Sequence, residues 1–118
     1  MGRLTTHVLD TTTGRPAADL AVELWSLTED GERRCLLCTR TNFDGRVDAP
    51  LLEGATFVPG VYELIFAVGA YFWTGGNDLP DPAFLDEVTV RFGVSDTSGH
   101  LHVPLLVSPY GYSTYRGS

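Results

Sequence analysis

What most constrains this chain is a succession of short segments in which apolar and polar residues alternate, each closed by turn-forming residues. A period of two belongs to a strand with one face on a core and one outside, and regular turn spacing points to an all-β fold. The clearest case is Glu87 to Val94, where Val88, Val90, Phe92 and Val94 fall on one side and Thr89, Arg91 and Gly93 on the other. Such strands bury their apolar faces against a second sheet or by closing on themselves, so an antiparallel sandwich or barrel is expected.

The remaining segments follow suit. Thr5 to Asp10 reads as the first strand, stopped by Thr13-Gly14-Arg15-Pro16. Ala21 to Thr28 follows, with Val22, Leu24 and Ser26 on one face, then the hairpin loop Glu29-Asp30-Gly31-Glu32 and a returning strand from Arg34 to Thr41. Asn42-Phe43-Asp44-Gly45-Arg46 is a turn in which Asp and Gly accept left-handed backbone angles. Val61 to Val68 sets Tyr62, Leu64 and Phe66 against Val61, Glu63 and Ile65, and Gly69 to Gly75 holds one short helix. His100 to Val107 and Gly111 to Arg116 complete the set. Strands in this number, with at most one helical turn, favour a two-sheet sandwich. At 118 residues and 43% apolar content, residues 1-118 form a single domain with one core. A chain this long buries about two-thirds of its unfolded surface and needs no disulfide or metal staple.

Charge narrows the partners. The net charge is −7, all eight basic residues are arginine, and Arg33-Arg34 is their only cluster. Without a concentrated basic face, nucleic acid is excluded as a partner. No window approaches the roughly 20 apolar residues of a membrane span. Met1-Gly2-Arg3-Leu4 leads directly into polar Thr5-Thr6-His7, without the apolar stretch of a secretory signal, so a cytoplasmic location is expected.

The segment from His100 to Leu106 carries the strongest chemical signal. On a strand His100 and His102 share one face while Leu101, Val103, Leu105 and Val107 take the other, so with the aliphatic row in the core both rings point outward. Imidazole is the side chain suited to proton transfer near neutrality. The third histidine, His7, lies in the first strand, where an ordinary polar strand position competes with a catalytic role. Three histidines could also ligate zinc, but no short-spaced His or Cys set accompanies them and a metal-free site is preferred. Arg46 closes its turn either as a plain exposed residue or as a guanidinium that clamps an imide or an oxyanion. Cys35 and Cys38, three apart on one strand, are expected to face opposite ways as reduced structural thiols rather than a redox motif. The terminal Tyr110 to Ser118, with three tyrosines and an arginine, reads as a docked end.

Thr6-His7-Val8-Leu9-Asp10, Asp44-Gly45-Arg46, His102-Val103-Pro104-Leu105-Leu106 and the final Tyr115-Arg116-Gly117-Ser118 together resemble, in order and across the whole chain, the signature of the 5-hydroxyisourate hydrolases of the transthyretin-related family. Leu101 stands where a tyrosine is frequent in that family, and Phe43 where the turn often has a small residue. The resemblance implies a transthyretin-like sandwich of two four-stranded antiparallel sheets with one short helix, assembled as a homotetramer, a dimer of dimers with active sites at the interface between dimers. It implies catalytic roles for His7, Arg46 and His102, a substrate pocket shaped by Tyr115, Arg116, Gly117 and Ser118, a weak supporting role for His100, and no cofactor. The implied reaction is hydrolysis of 5-hydroxyisourate in urate degradation; the alternative is a transthyretin-like carrier of a small ligand without chemistry.

Overall fold

A computed structural model describes residues 2–117. Nine strands run in the order β1 (Arg3–Asp10), β2 (Arg15–Pro16), β3 (Ala21–Leu27), β4 (Arg33–Arg40), β5 (Leu52–Glu53) and β6 (Gly60–Phe66), then helix α1 (Val68–Thr74), β7 (Val88–Val94), β8 (His100–Ser108) and β9 (Gly111–Thr114). They form two sheets: one ordered β2-β1-β8-β9, with β5 also paired to β1, and one ordered β4-β3-β6-β7.

The alternating rows meet between the sheets. Leu4 and Val8 of β1 and Leu101, Val103, Leu105 and Val107 of β8 come from the first sheet; Val22, Leu24, Tyr62, Leu64, Phe66, Val88 and Val90 face them from the second. Phe66, Leu4, Leu24, Leu64 and Leu105 are among the largest fully buried side chains, each stabilising the fold by about 1.5–3 kcal/mol. Helix α1 is too short to persist alone and is fixed by tertiary contacts. Val68 and Phe72 enter the core, and the Tyr71 hydroxyl donates to the buried Asp10 carboxylate of β1 at 2.9 Å. Burial, that hydrogen bond and the Asp10 charge push the Tyr71 phenol up to about 12. Charge is also managed on the outer face of the second sheet, where Glu63, almost fully buried, forms an ion pair with Arg33 at 3.2 Å and accepts a hydrogen bond from Arg91 at 3.0 Å.

The two-sheet sandwich and the short helix are as expected, with differences of detail. The first sheet has five strands, and its central pair is parallel: Arg3 lies beside His100, Thr5 beside His102 and His7 beside Pro104. A parallel pair requires a long crossover, and the chain from β2 to β7 supplies it. The last strand stops at Thr114 rather than Arg116 because β8 turns toward β9 a proline that has no N–H to donate; Pro104 offers only its carbonyl, which accepts from the Thr114 hydroxyl at 2.7 Å. The third difference is in β4. Trp25 pairs with Cys35 and Leu24 with Leu37, leaving Leu36 as the extra residue of a β-bulge that reverses the facing of the strand beyond it. Cys35 and Cys38 therefore share the exposed face, with sulfurs 3.6 Å apart, instead of facing opposite ways.

Candidate active site

The parallel pairing of β1 with β8 builds the site. Residues that leave the core on the outer face include Thr5 and His7 of β1 and His100 and His102 of β8. Pairing Thr5 with His102 brings the rings of His7 and His102 to 6.4 Å between centroids, while His100 and His102 stand 5.9 Å apart.

Thr5 organises the group. Its Oγ1 lies 2.7 Å from His102 Nδ1 and 2.6 Å from His100 Nε2. A hydroxyl has one proton and two lone pairs, so it can donate to only one of these rings and must accept from at least one, which couples the tautomers of the two histidines. When Nδ1–H of His102 donates to Thr5, the Nε2 lone pair of His102 is free to take a proton from a reactant. Burial first, then the charges of Arg46, His100 and His7, hold His102 below the ordinary histidine value, which favours its neutral form. His7 contributes a further poised atom: its Nε2 is buried without a hydrogen-bond partner among the described residues. Such a group is costly unless something else satisfies it.

Arg46 arrives from the opposite edge of β1. The turn from Asn42 to Arg46 docks on that edge, with Val8 N donating to Gly45 O at 2.8 Å and Arg46 forming a single bridge pair with His7. Asn42 closes the turn by accepting on its side chain from the backbone N–H of Asp44 and of Arg46. Gly45 is essential to it. Its φ is +74°, and a Cβ there would run into the Val8 carbonyl. The Arg46 guanidinium is half exposed and pairs with Asp44 at 3.3 Å.

The chain end returns to the same place. Gly117 N donates to His102 O at 2.8 Å, and a Cβ on Gly117 would sit 2.8 Å from His102 Cδ2, so only glycine lets the terminal segment lie against this ring. Tyr115 and Arg116 take the other side of β8, lining a groove of about 310 Å³ with Val90, Phe92, Leu101 and Val103. Ser118 lies outside the described residues. Of the sequence-predicted residues, His7, Arg46, His102 and Gly117 converge, and Tyr115 and Arg116 sit apart from the rings in the single chain. Thr5 was not anticipated; its only signal was a same-face position two residues before His7. Among the described residues no group of three or more His, Cys, Asp or Glu side chains is arranged to hold a metal ion.

A two-sheet sandwich with paired histidines on the outer face of one sheet and an arginine-bearing turn at its edge defines a transthyretin-like protein equipped for acid–base chemistry. Residues 4–117 match the HIUase/Transthyretin family, and the chain belongs to it. It is 61% identical to 5-hydroxyisourate hydrolase 2 of Rhizobium meliloti (strain 1021), over 99% of this chain and 97% of that one. Among solved structures it superposes on (S)-allantoin synthase with a TM-score of 0.93 at 43% identity, covering 99% of this chain but only 44% of that longer one. Sea bream transthyretin in complex with thyroxine matches with a TM-score of 0.87 at 27% identity, over 98% of this chain and 94% of that one.

Proposed function

We propose that this chain is a 5-hydroxyisourate hydrolase, converting 5-hydroxyisourate to 2-oxo-4-hydroxy-4-carboxy-5-ureidoimidazoline by His-assisted water attack on a cyclic amide. The observation that carries the reading is the convergence of His7, Arg46 and His102, from three distant parts of the chain, around one strand edge and face. The full-length likeness to the Rhizobium meliloti hydrolase supports the substrate.

In this mechanism His102 is the general base. In its neutral form, with Nδ1 directed to Thr5, its Nε2 takes a proton from water as that water adds to the acyl carbon. Arg46 holds the imide oxygens and offsets the charge of the tetrahedral intermediate. The C–N bond then breaks and the leaving nitrogen takes a proton, for which His7 is the positioned partner; its Nε2, without a partner among the described residues, suits contact with water or substrate. His100 acts through Thr5, fixing the hydroxyl that orients His102. No cofactor or metal is needed for these steps.

Gly117 borders the substrate pocket, while Tyr115 and Arg116 shape it by anchoring the terminal segment in its groove; the resemblance extends this role to Ser118. The working form is a homotetramer, a dimer of dimers, with the histidine faces at the interface between dimers; an exposed His-bearing sheet face and the exposed aromatics Tyr110, Tyr112 and Tyr115 support assembly. The cytoplasm suits two exposed cysteines that stand close but unbridged. No helix among the described residues is long and apolar enough to cross a membrane.

The thyroxine complex of sea bream transthyretin favours a second reading, a small-ligand carrier on the same fold. An absorbance time course on freshly formed 5-hydroxyisourate, with and without the chain and with chelator added, separates the two. Accelerated decay that survives chelation is expected and is abolished in His102→Asn, whose fold and assembly persist. No acceleration by the native chain would reject the hydrolase and leave the carrier.

A further inference from the structure

The outer face of the second sheet carries chemistry that the hydrolase site does not use. The β4 bulge places Cys35 opposite Trp25 and Cys38 opposite Glu23, two positions that share one face of β3. Both thiols are exposed and unbridged, and their sulfurs are already in contact at 3.6 Å. Strand β4 is the outermost of its sheet, held by β3 alone, so it can shift without breaking a second ladder. An ordinary strand would send residues three apart to opposite faces; the extra residue Leu36 makes this pair possible.

We propose that Cys35 and Cys38 form a reversible dithiol–disulfide pair, a redox modification site whose oxidant is hydrogen peroxide. The Cys35 thiolate attacks one peroxide oxygen, the O–O bond breaks, and the departing hydroxide takes a proton to leave as water, giving a sulfenic acid on Cys35. The Cys38 sulfur then attacks the Cys35 sulfur, the S–O bond breaks, and a second water departs with the Cys38 proton. Two thiols and one peroxide become one disulfide and two waters, the two electrons passing from sulfur to oxygen. Cys38 serves as the resolving member, a role in keeping with its thiol, which the hydrogen bond with Cys35 first, then desolvation and the charges of Cys35 and Glu23, raise above the ordinary value. The proposal stands independently of the hydrolase reading, since these residues lie on a different sheet from the histidines.

The test treats the full chain with one equivalent of hydrogen peroxide in mildly alkaline buffer and reads intact mass, free thiols and Trp25 fluorescence. A mass loss of about 2 Da, loss of both thiols, a single Cys35–Cys38 linked peptide and recovery with dithiothreitol are expected. Fluorescence should fall as the disulfide forms, because Trp25 lies directly across from Cys35. In Cys38→Ser the reaction should stop at a Cys35 sulfenic acid trapped by dimedone. Gains of about 32 Da per thiol, chains cross-linked to one another, or two intact thiols in the treated native chain would overturn the proposal. A Cys38→Ser chain that traps no sulfenic acid would overturn the assignment of Cys35 as nucleophile.

Discussion

Replacing Thr5 with valine removes one oxygen from the centre of the histidine group while keeping the shape of the side chain. That oxygen stands 2.6 Å from His100 Nε2 and 2.7 Å from His102 Nδ1, so the substitution deletes two hydrogen bonds at once. In the proposed mechanism the bond to His102 bears on rate, because donation from Nδ1–H to Thr5 leaves the Nε2 lone pair facing the reactant. A hydrogen bond of this kind contributes about 0.5–1.5 kcal/mol net, and about 1.4 kcal/mol changes a rate tenfold. Thr5→Val should therefore lower kcat by roughly twofold to tenfold with KM little changed, since Thr5 orients the base rather than the substrate. Loss of the base itself in His102→Asn should cost about a hundredfold or more. Initial rates come from the absorbance decay of fresh 5-hydroxyisourate, and the His102 ring resonances report its titration in the same variant. Thr5→Ser, which restores the hydroxyl, should recover most of the rate. A Thr5→Val enzyme with native kcat and an unchanged His102 titration would refute the positioning argument.

Two further outcomes test the electrostatics and the turn. Arg46→Met removes one of the charges that hold His102 below its ordinary value, so its titration, followed by NMR, should move upward and the acid limb of any residual activity should move upward with it. The linked stability effect has a definite sign: the unfolded chain binds a proton at His102 more readily than the folded one, so this residue's contribution to stability falls as pH drops through the ordinary histidine range, and Arg46→Met should soften that fall in denaturant melts at graded pH. Gly45→Ala places a Cβ against the Val8 carbonyl at a φ of +74°, so destabilisation of roughly 2 kcal/mol or more is expected in chemical denaturation, with activity lost as the Arg46 turn leaves β1. Native stability in that variant would mean the turn is not tied to the strand edge.

The facing of most strands was legible because burial leaves its mark directly on residue type. Val22 and Leu24, the row Tyr62, Leu64, Phe66, and the row Val88, Val90 are all buried where alternation put them. Facing also predicted that His100 and His102 look outward together. Neighbours were not legible. Alternation is the same whether a strand pairs parallel or antiparallel, so nothing in Thr5 to Asp10 announced that β1 would lie parallel to β8 and set Thr5 between two imidazoles. Nor does a bulge change composition: Leu36 looks like any strand leucine, and only the partner strand shows that it is one residue too many.

By itself, then, the sequence determined the all-β sandwich, the core rows, the outward histidines and the glycine-dependent turn, since each follows from local backbone preference and the burial of apolar faces. The tertiary structure decided what meets what. It placed Arg46 on one edge of β1 and β8 on the other, laid Gly117 against the His102 ring, buried His7 Nε2 without a partner among the described residues, and turned Cys35 and Cys38 to one side. Those outcomes depend on strand order and register, which arise from contacts between residues far apart in the chain and are absent from any one segment's pattern.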